Sequence, residues 1–289
     1  MKKATFAVAL AGAFLLTSVV SQVQAEPQWH FLVKGERDHQ EFSSDNADID
    51  TLTLQPMMVD GNWSFTLTLP WQHIDGSVFV NNLYSNSSRL CTIIQDSSLL
   101  QTIKSGSSTL LPSGYCNSTT VSGSKNTSTS GWSDAQVFAN YIFPVDWQRV
   151  NTSLGAGYKH DNGDSNTGLG SGTQDVYAEN AWLVSFNPLS FLLTLGYNHI
   201  VKDSTGLKLK DHGYYSLDTR WKFTDAVAAG VEYDYQQSNA DVLDDYDYYT
   251  GYVRLGRPTG WGGRIFVIDY HGQQGFPDRE YGASLSYMF

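Results

Sequence analysis

Residues 62–72 read Asn-Trp-Ser-Phe-Thr-Leu-Thr-Leu-Pro-Trp-Gln. Trp63, Phe65, Leu67, Leu69 and Trp71 share one face of an extended chain, and Ser64, Thr66, Thr68 and Gln72 share the other. This period of two marks a strand with one apolar side. The pattern recurs at 149–159, where Val150, Thr152, Leu154, Ala156 and Tyr158 oppose Asn151, Ser153, Gly155, Gly157 and Lys159. It recurs again at 226–236, where Val227, Ala229, Val231, Tyr233 and Tyr235 oppose Ala228, Gly230, Glu232, Asp234 and Gln236. A soluble sandwich would put charge on its outer face and large side chains on its inner one. Here the second face is rich in Gly, Ser, Thr and Asn, as expected where the apolar face meets lipid and the other lines a lumen.

Working outward, the same pattern predicts about twelve strands, an even number as bacterial barrels require. They fall at 28–40, 49–59, 62–74, 133–146, 149–162, 173–186, 189–203, 212–224, 226–239, 246–258, 262–274 and 279–289. Tight turns at Asp60-Gly61, Trp147-Gln148, Asn187-Pro188, Asp225 and Thr259-Gly260-Trp261 alternate with longer polar links at 41–48, 75–132, 163–172, 204–211, 240–245 and 275–278. That alternation is the asymmetry between periplasmic turns and external loops, and it puts both chain ends on the periplasmic side. The fold class is therefore an all-β, transmembrane, antiparallel up-and-down barrel of the outer-membrane type.

Both termini agree. Lys2 and Lys3 precede an apolar stretch from Ala4 to Val20, and Val23-Gln24-Ala25 has small-x-small cleavage spacing. Residues 1–25 are thus expected to be a signal peptide and 26–289 the barrel. At the other end Tyr281, Ala283, Leu285, Tyr287 and Phe289 alternate with Gly282, Ser284, Ser286 and Met288. Gly282, Leu285, Tyr287 and the terminal Phe289 resemble the signal read by the barrel-assembly machinery. Composition fits as well, with 13% aromatic residues, 16% charged residues and 26 glycines. A formal net charge of −11 argues against nucleic acid as a partner. The expected surroundings are outer-membrane lipid and lipopolysaccharide, with the chain a monomer.

Residues 75–132 stand apart, being rich in Ser, Thr, Asn and Gly with little charge. Cys91 and Cys116 are the only cysteines, and in an exported chain they are expected to form a disulfide. Closing that loop contributes about 3 kcal/mol by restricting the unfolded chain. Leu99, Leu100, Ile103, Leu110 and Leu111 could serve a plug, a cap or a partner surface.

Enzymatic candidates are sparse. Asp211-His212, His199 near Ser204, and His160 near Asp161 could in principle activate water or attack an ester. None has motif spacing, and His and Asp both favour polar rims. Acidic groups Asp161 and Asp164, and Asp241, Asp244, Asp245 and Asp247, could hold a divalent cation but read more simply as solvated loops. No catalytic, cofactor or metal site is assigned. Strand parity turns Lys34, Glu36, Lys159, Glu179, Asp218, Arg220, Lys222, Glu232, Asp234 and Arg254 inward, because each charge facing lipid at mid-depth would cost about 2–4 kcal/mol. They could form ion pairs across the lumen or a transverse field, and the many small inward residues suggest a narrow pore.

Four phrases carry a resemblance: residues 63–70 (Trp-Ser-Phe-Thr-Leu-Thr-Leu-Pro), 131–135 (Gly-Trp-Ser-Asp-Ala), 168–175 (Gly-Leu-Gly-Ser-Gly-Thr-Gln-Asp) and 276–287 (Phe-Pro-Asp-Arg-Glu-Tyr-Gly-Ala-Ser-Leu-Ser-Tyr). The chain resembles a family of proteobacterial outer-membrane barrel transporters, similar to the phenol-degradation MetA-pathway group. The resemblance implies passage of an unspecified small molecule. The long cysteine-bearing loop departs from that family. A closed barrel whose loops bind a partner is the alternative reading, and a barrel hydrolase is a third.

Overall fold

A computed structural model of the chain describes residues 27–42, 46–78, 125–144, 149–164, 169–203, 209–239, 245–256, 260–271 and 277–289. The leader, both cysteines and the apolar residues between them lie outside the described residues, as do Ser204, Asp241 and Asp244.

Thirteen strand segments follow in order. They are β1 (Gln28–Glu41), β2 (Asn46–Asp60), β3 (Trp63–Val78), β4 (Lys125–Trp132), β5 (Ala135–Ile142), β6 (Val150–His160) and β7 (Thr173–Phe186). Then come β8 (Leu189–Asp203), β9 (His212–Thr224), β10 (Val227–Gln236), β11 (Tyr246–Gly256), β12 (Gly260–His271) and β13 (Arg279–Met288). All pairings are antiparallel. β1 pairs with β13 from Leu32↔Met288 to Glu41↔Arg279, which closes the sheet on itself and leaves no edge around the ring.

β4 and β5 both pair with β3, the first against its outer half (Trp71↔Trp132) and the second against its inner half (Thr68↔Gln136). They are one strand interrupted at Ser133-Asp134, so the barrel has twelve staves. The interruption lies opposite Pro70, whose nitrogen cannot donate to the ladder; the Ser133 amide instead reaches the Pro70 carbonyl at 2.8 Å. This corrects the sequence reading of a fourth strand from 133 and a loop from 75. Strand structure continues through 75–78 and begins again at 125. Residues 125–131 are polar without alternation, and backbone pairing with β3 holds them where no apolar face is needed. The turn expected at 259–261 also differs, since β12 begins at Gly260.

The outer face follows the sequence parity. Trp29, Trp63, Phe186, Trp221, Trp261 and Phe289 ring the turn end, and Tyr197, Tyr215, Tyr233, Tyr249 and Tyr281 ring the loop end. Leu52, Leu154, Leu193, Val231, Val253 and Ile265 fill the band between them. This is an apolar belt between two aromatic girdles. Gly61, at φ 57, makes the tight Asp60↔Trp63 hairpin that an L side chain would strain.

The inner face holds a correction. Several small inward residues are seats for aromatic rings from the next strand. A Cβ at Gly155, Gly157, Gly196, Gly230 or Gly282 would overlap Phe138, Tyr177, Tyr214, Tyr252 or Phe266 respectively. Each ring thus lies flat on the wall, an aromatic packed over a strand glycine. Phe138 and Tyr177 continue the layer as a stack, with centroids 5.7 Å apart and planes at 10°. Small inward residues here thicken the wall and do not by themselves signal empty volume.

Candidate functional site

The inward wall carries the chemistry. Lys34 and Glu36 pair at 2.6 Å, both nearly fully buried. Glu179 accepts a hydrogen bond from the Tyr214 hydroxyl at 2.6 Å. Asp218 takes Arg220 at 3.2 Å on one oxygen and the Tyr252 hydroxyl at 2.8 Å on the other. Glu232 faces Arg264 at 3.8 Å, and Asp234 is buried on the same face two residues on. Arg254 stands beside Arg264 in the ladder. Lys222 has inward parity but sits at the turn end, exposed, where it pairs with Asp225 at 2.7 Å.

Sequence reasoning missed several members. Arg264 is the largest fully buried side chain among the described residues, stacked over the rings of Tyr252 (4.6 Å) and Phe266 (5.2 Å). Its strand is apolar on both faces, with Phe266 and Ile268 inward and Ile265 and Val267 outward, so only its own charge marks the inward side, as it does for Arg254. Asp38 and Asp175 were within reach of the same rule, since they share parity with Lys34 and Glu179. Glu280, which accepts from Gln40 and the Tyr270 hydroxyl at 3.0 Å each, sat inside the C-terminal phrase and was not read as lumen-facing.

A second cluster ties the β6–β7 loop into the mouth. In the bulge opposite Pro70, Asp134 accepts the Ser171 amide (2.8 Å), the Ser171 hydroxyl (2.6 Å) and the Gly163 amide (3.0 Å). Lys159 donates to Ser171 (2.5 Å) and Thr173 (2.8 Å) and pairs with Asp175 (2.6 Å), with Asp134 at 4.0 Å. Asn162 clamps the bulge from the loop side, accepting the Ala135 amide and donating to the Ser133 carbonyl. Leu169 then packs on Ile49 and Ile74, inward residues of β2 and β3. The loop is thereby folded inward across β4.

Between the two rims, nine carboxylates among the described residues face inward: Glu36, Asp38, Asp134, Asp175, Glu179, Asp218, Glu232, Asp234 and Glu280. Five cations face them: Lys34, Lys159, Arg220, Arg254 and Arg264.

Among the described residues the Asp211-His212 candidate is not assembled. Asp211 and His212 point apart: Asp211 binds His199 at 2.8 Å on the outside, whereas His212 is buried beside Asn198. Partial burial pushes the Asp211 carboxyl up, but His199, the Ile200 amide and Tyr197 together hold it below the usual carboxylate range. His160 meets Tyr158. His73 and Ser130, at 2.7 Å on the outer face, form a histidine–serine contact that the sequence did not reveal. Among the described residues His73 has no carboxylate to orient it, as a nucleophile–base pair requires. Asp245 spends its oxygens on the Ser238 amide (2.8 Å) and the Tyr235 hydroxyl (2.5 Å), which hold it below the usual range. Among the described residues no group of three or more His, Cys, Asp or Glu is placed to hold a metal ion.

The fold and this wall define a class: a twelve-stave outer-membrane-type barrel with a charged interior. No family model matches the chain. No curated protein matches it in sequence. Among solved structures it is similar to an outer membrane channel from Pseudomonas putida F1, with a TM-score of 0.59, 7% identity, and 95% of this chain covering 100% of that one. It is also similar to the KdgM porin, with a TM-score of 0.50, 9% identity, and 89% of this chain covering 99% of that one. At such identities the likeness is one of fold.

Proposed function

We propose that the protein is an outer-membrane channel that passes small solutes through its lumen. The observation that carries this reading is the contrast between the faces: an apolar belt with two aromatic girdles outside and, among the described residues, fourteen charged side chains of both signs inside. Burying so many charges in a barrel that need only fill itself would demand desolvation without return. Along the wall of a channel, the same paired charges set which solute enters. The similar solved structures named as a channel and a porin support the reading, as do the phrases that resemble the transporter family near the MetA-pathway group. With it go export by the N-terminal leader, insertion by the assembly machinery through the C-terminal strand, and a monomer in the outer membrane with periplasmic turns.

Purified protein in a planar bilayer tests this. Stepwise current in KCl is the expected result, and folded, inserted protein that carries none overturns the reading. The inward-folded β6–β7 loop gives weight to one other account, a closed barrel that presents its loops to a partner. Absence of current would favour it.

A further inference from the structure

The inward charges are layered along the barrel axis. Counted from the turn end of its own strand, Arg254 is two residues from Gly256, Arg264 four from Gly260, and Arg220 four from Thr224. The carboxylates begin above them. Glu232 is five residues from Val227, Asp234 seven from the same end, Glu280 eight from Met288 and Asp175 eleven from Phe186. A tilted strand climbs roughly 2.3 Å of axis per residue. The arginines, on the neighbouring strands β9, β11 and β12, therefore form a cluster on one side of the wall about 5–9 Å above the turn end, and the carboxylates extend from about 12 Å to about 25 Å. The exceptions are Lys34, six residues from Gln28 and paired with Glu36, and Lys159, which is high on the axis but bound to Asp175 with Asp134 nearby.

Resting on the channel reading, we infer that the lumen is an axial rectifier that prefers cations. The carboxylate-rich outer section concentrates cations entering from the loop end, and the arginine cluster (Arg220, Arg254 and Arg264) near the turn end makes passage depend on direction. Ion pairing within the wall does not erase this. Nine carboxylates against five cations leave a negative surplus among the described residues, and a low-dielectric wall focuses that field along the bore. The layers touch at their boundary, where Arg264 lies 3.8 Å from Glu232 and Arg220 3.2 Å from Asp218, but Glu280 and Asp175 stand about 9–16 Å above the arginines. That exceeds the screening length of about 8 Å at physiological salt, so an ion meets these upper carboxylates before the arginines. The arrangement thus has a longitudinal component beside the transverse field that strand parity alone left open.

The test is single-channel recording on the full chain. The expected wild-type result is a reversal potential of cation-selective sign in a tenfold KCl gradient, with current roughly twofold larger at one polarity than at the other. Arg254→Gln should flatten that asymmetry and strengthen cation preference, and Arg220→Gln should do the same. Asp234→Asn should weaken cation preference and keep the asymmetry. Insertion of each variant is confirmed by heat-modifiable gel mobility, and whichever arginine variant inserts decides the point. Current that is anion-selective, or whose asymmetry neither arginine variant alters, overturns the rectifier and leaves the channel intact. Inserted wild-type protein with no current overturns the channel reading, and the rectifier with it.

Discussion

The Asp134 carboxylate and Ser171 are joined twice, by the serine amide at 2.8 Å and its hydroxyl at 2.6 Å, across 37 positions of sequence. One partner sits in a strand bulge and the other in a loop, so the contact holds the β6–β7 connection inside the barrel mouth.

Replacing Asp134 with Ala should release that loop. The change strips acceptors from the Ser171 and Gly163 amides, and an unsatisfied buried donor costs about 1–3 kcal/mol. Protease cleavage within 161–172 should rise while the far side of the barrel keeps its protection. Unchanged cleavage would show that the loop is held without Asp134, by Leu169, Asn162 and Lys159.

Lys159→Ala should be the more damaging change. It leaves Asp175 and Asp134 buried without their cation, and removing one partner of a buried pair costs about 3–5 kcal/mol. A lower urea midpoint for unfolding from lipid vesicles is the expected readout, with the single-residue repair Lys159→Arg recovering most of it.

Gly230→Val tests the seating of aromatic rings. The new side chain would overlap the Tyr252 ring, which also donates to Asp218, and overpacking of this kind costs about 1–3 kcal/mol. Adding Tyr252→Ala to Gly230→Val should recover part of the loss in the same assay. Strictly additive losses would mean that the two side chains do not compete for one space.

Deleting Phe289 should lower outer-membrane levels several-fold, far more than trimming residues 86–120. The Phe289 amide bonds the Phe31 carbonyl at 3.1 Å and its ring packs on Tyr287 (4.6 Å) and Phe31 (6.3 Å), so the last residue completes the seam between first and last strands. Equal levels of the two variants would count against this.

Cys91 and Cys116 should form one disulfide in exported protein. Alkylation under non-reducing conditions followed by mass spectrometry should find no free thiol; two alkylated cysteines would dismiss the bond.

What the sequence determined by itself was the barrel and the direction its faces point. Lipid rejects charge and lumen accepts it, so alternation such as Trp63-Ser64-Phe65-Thr66 decides inside from outside one strand at a time. Lys34, Glu179, Asp218 and Glu232 were legible for that reason. Arg264 was within reach of the same rule, but its stacking on Tyr252 and its pairing with Glu232 come from other strands and were not. The true start of β4, the bulge that Pro70 forces, the insertion of Leu169 and the rings lying over glycines were equally hidden. Each depends on which residues the register sets side by side, as does the height of each charge on the axis. Register belongs to the closed sheet, since strand stagger is shared around the ring and no single segment specifies it.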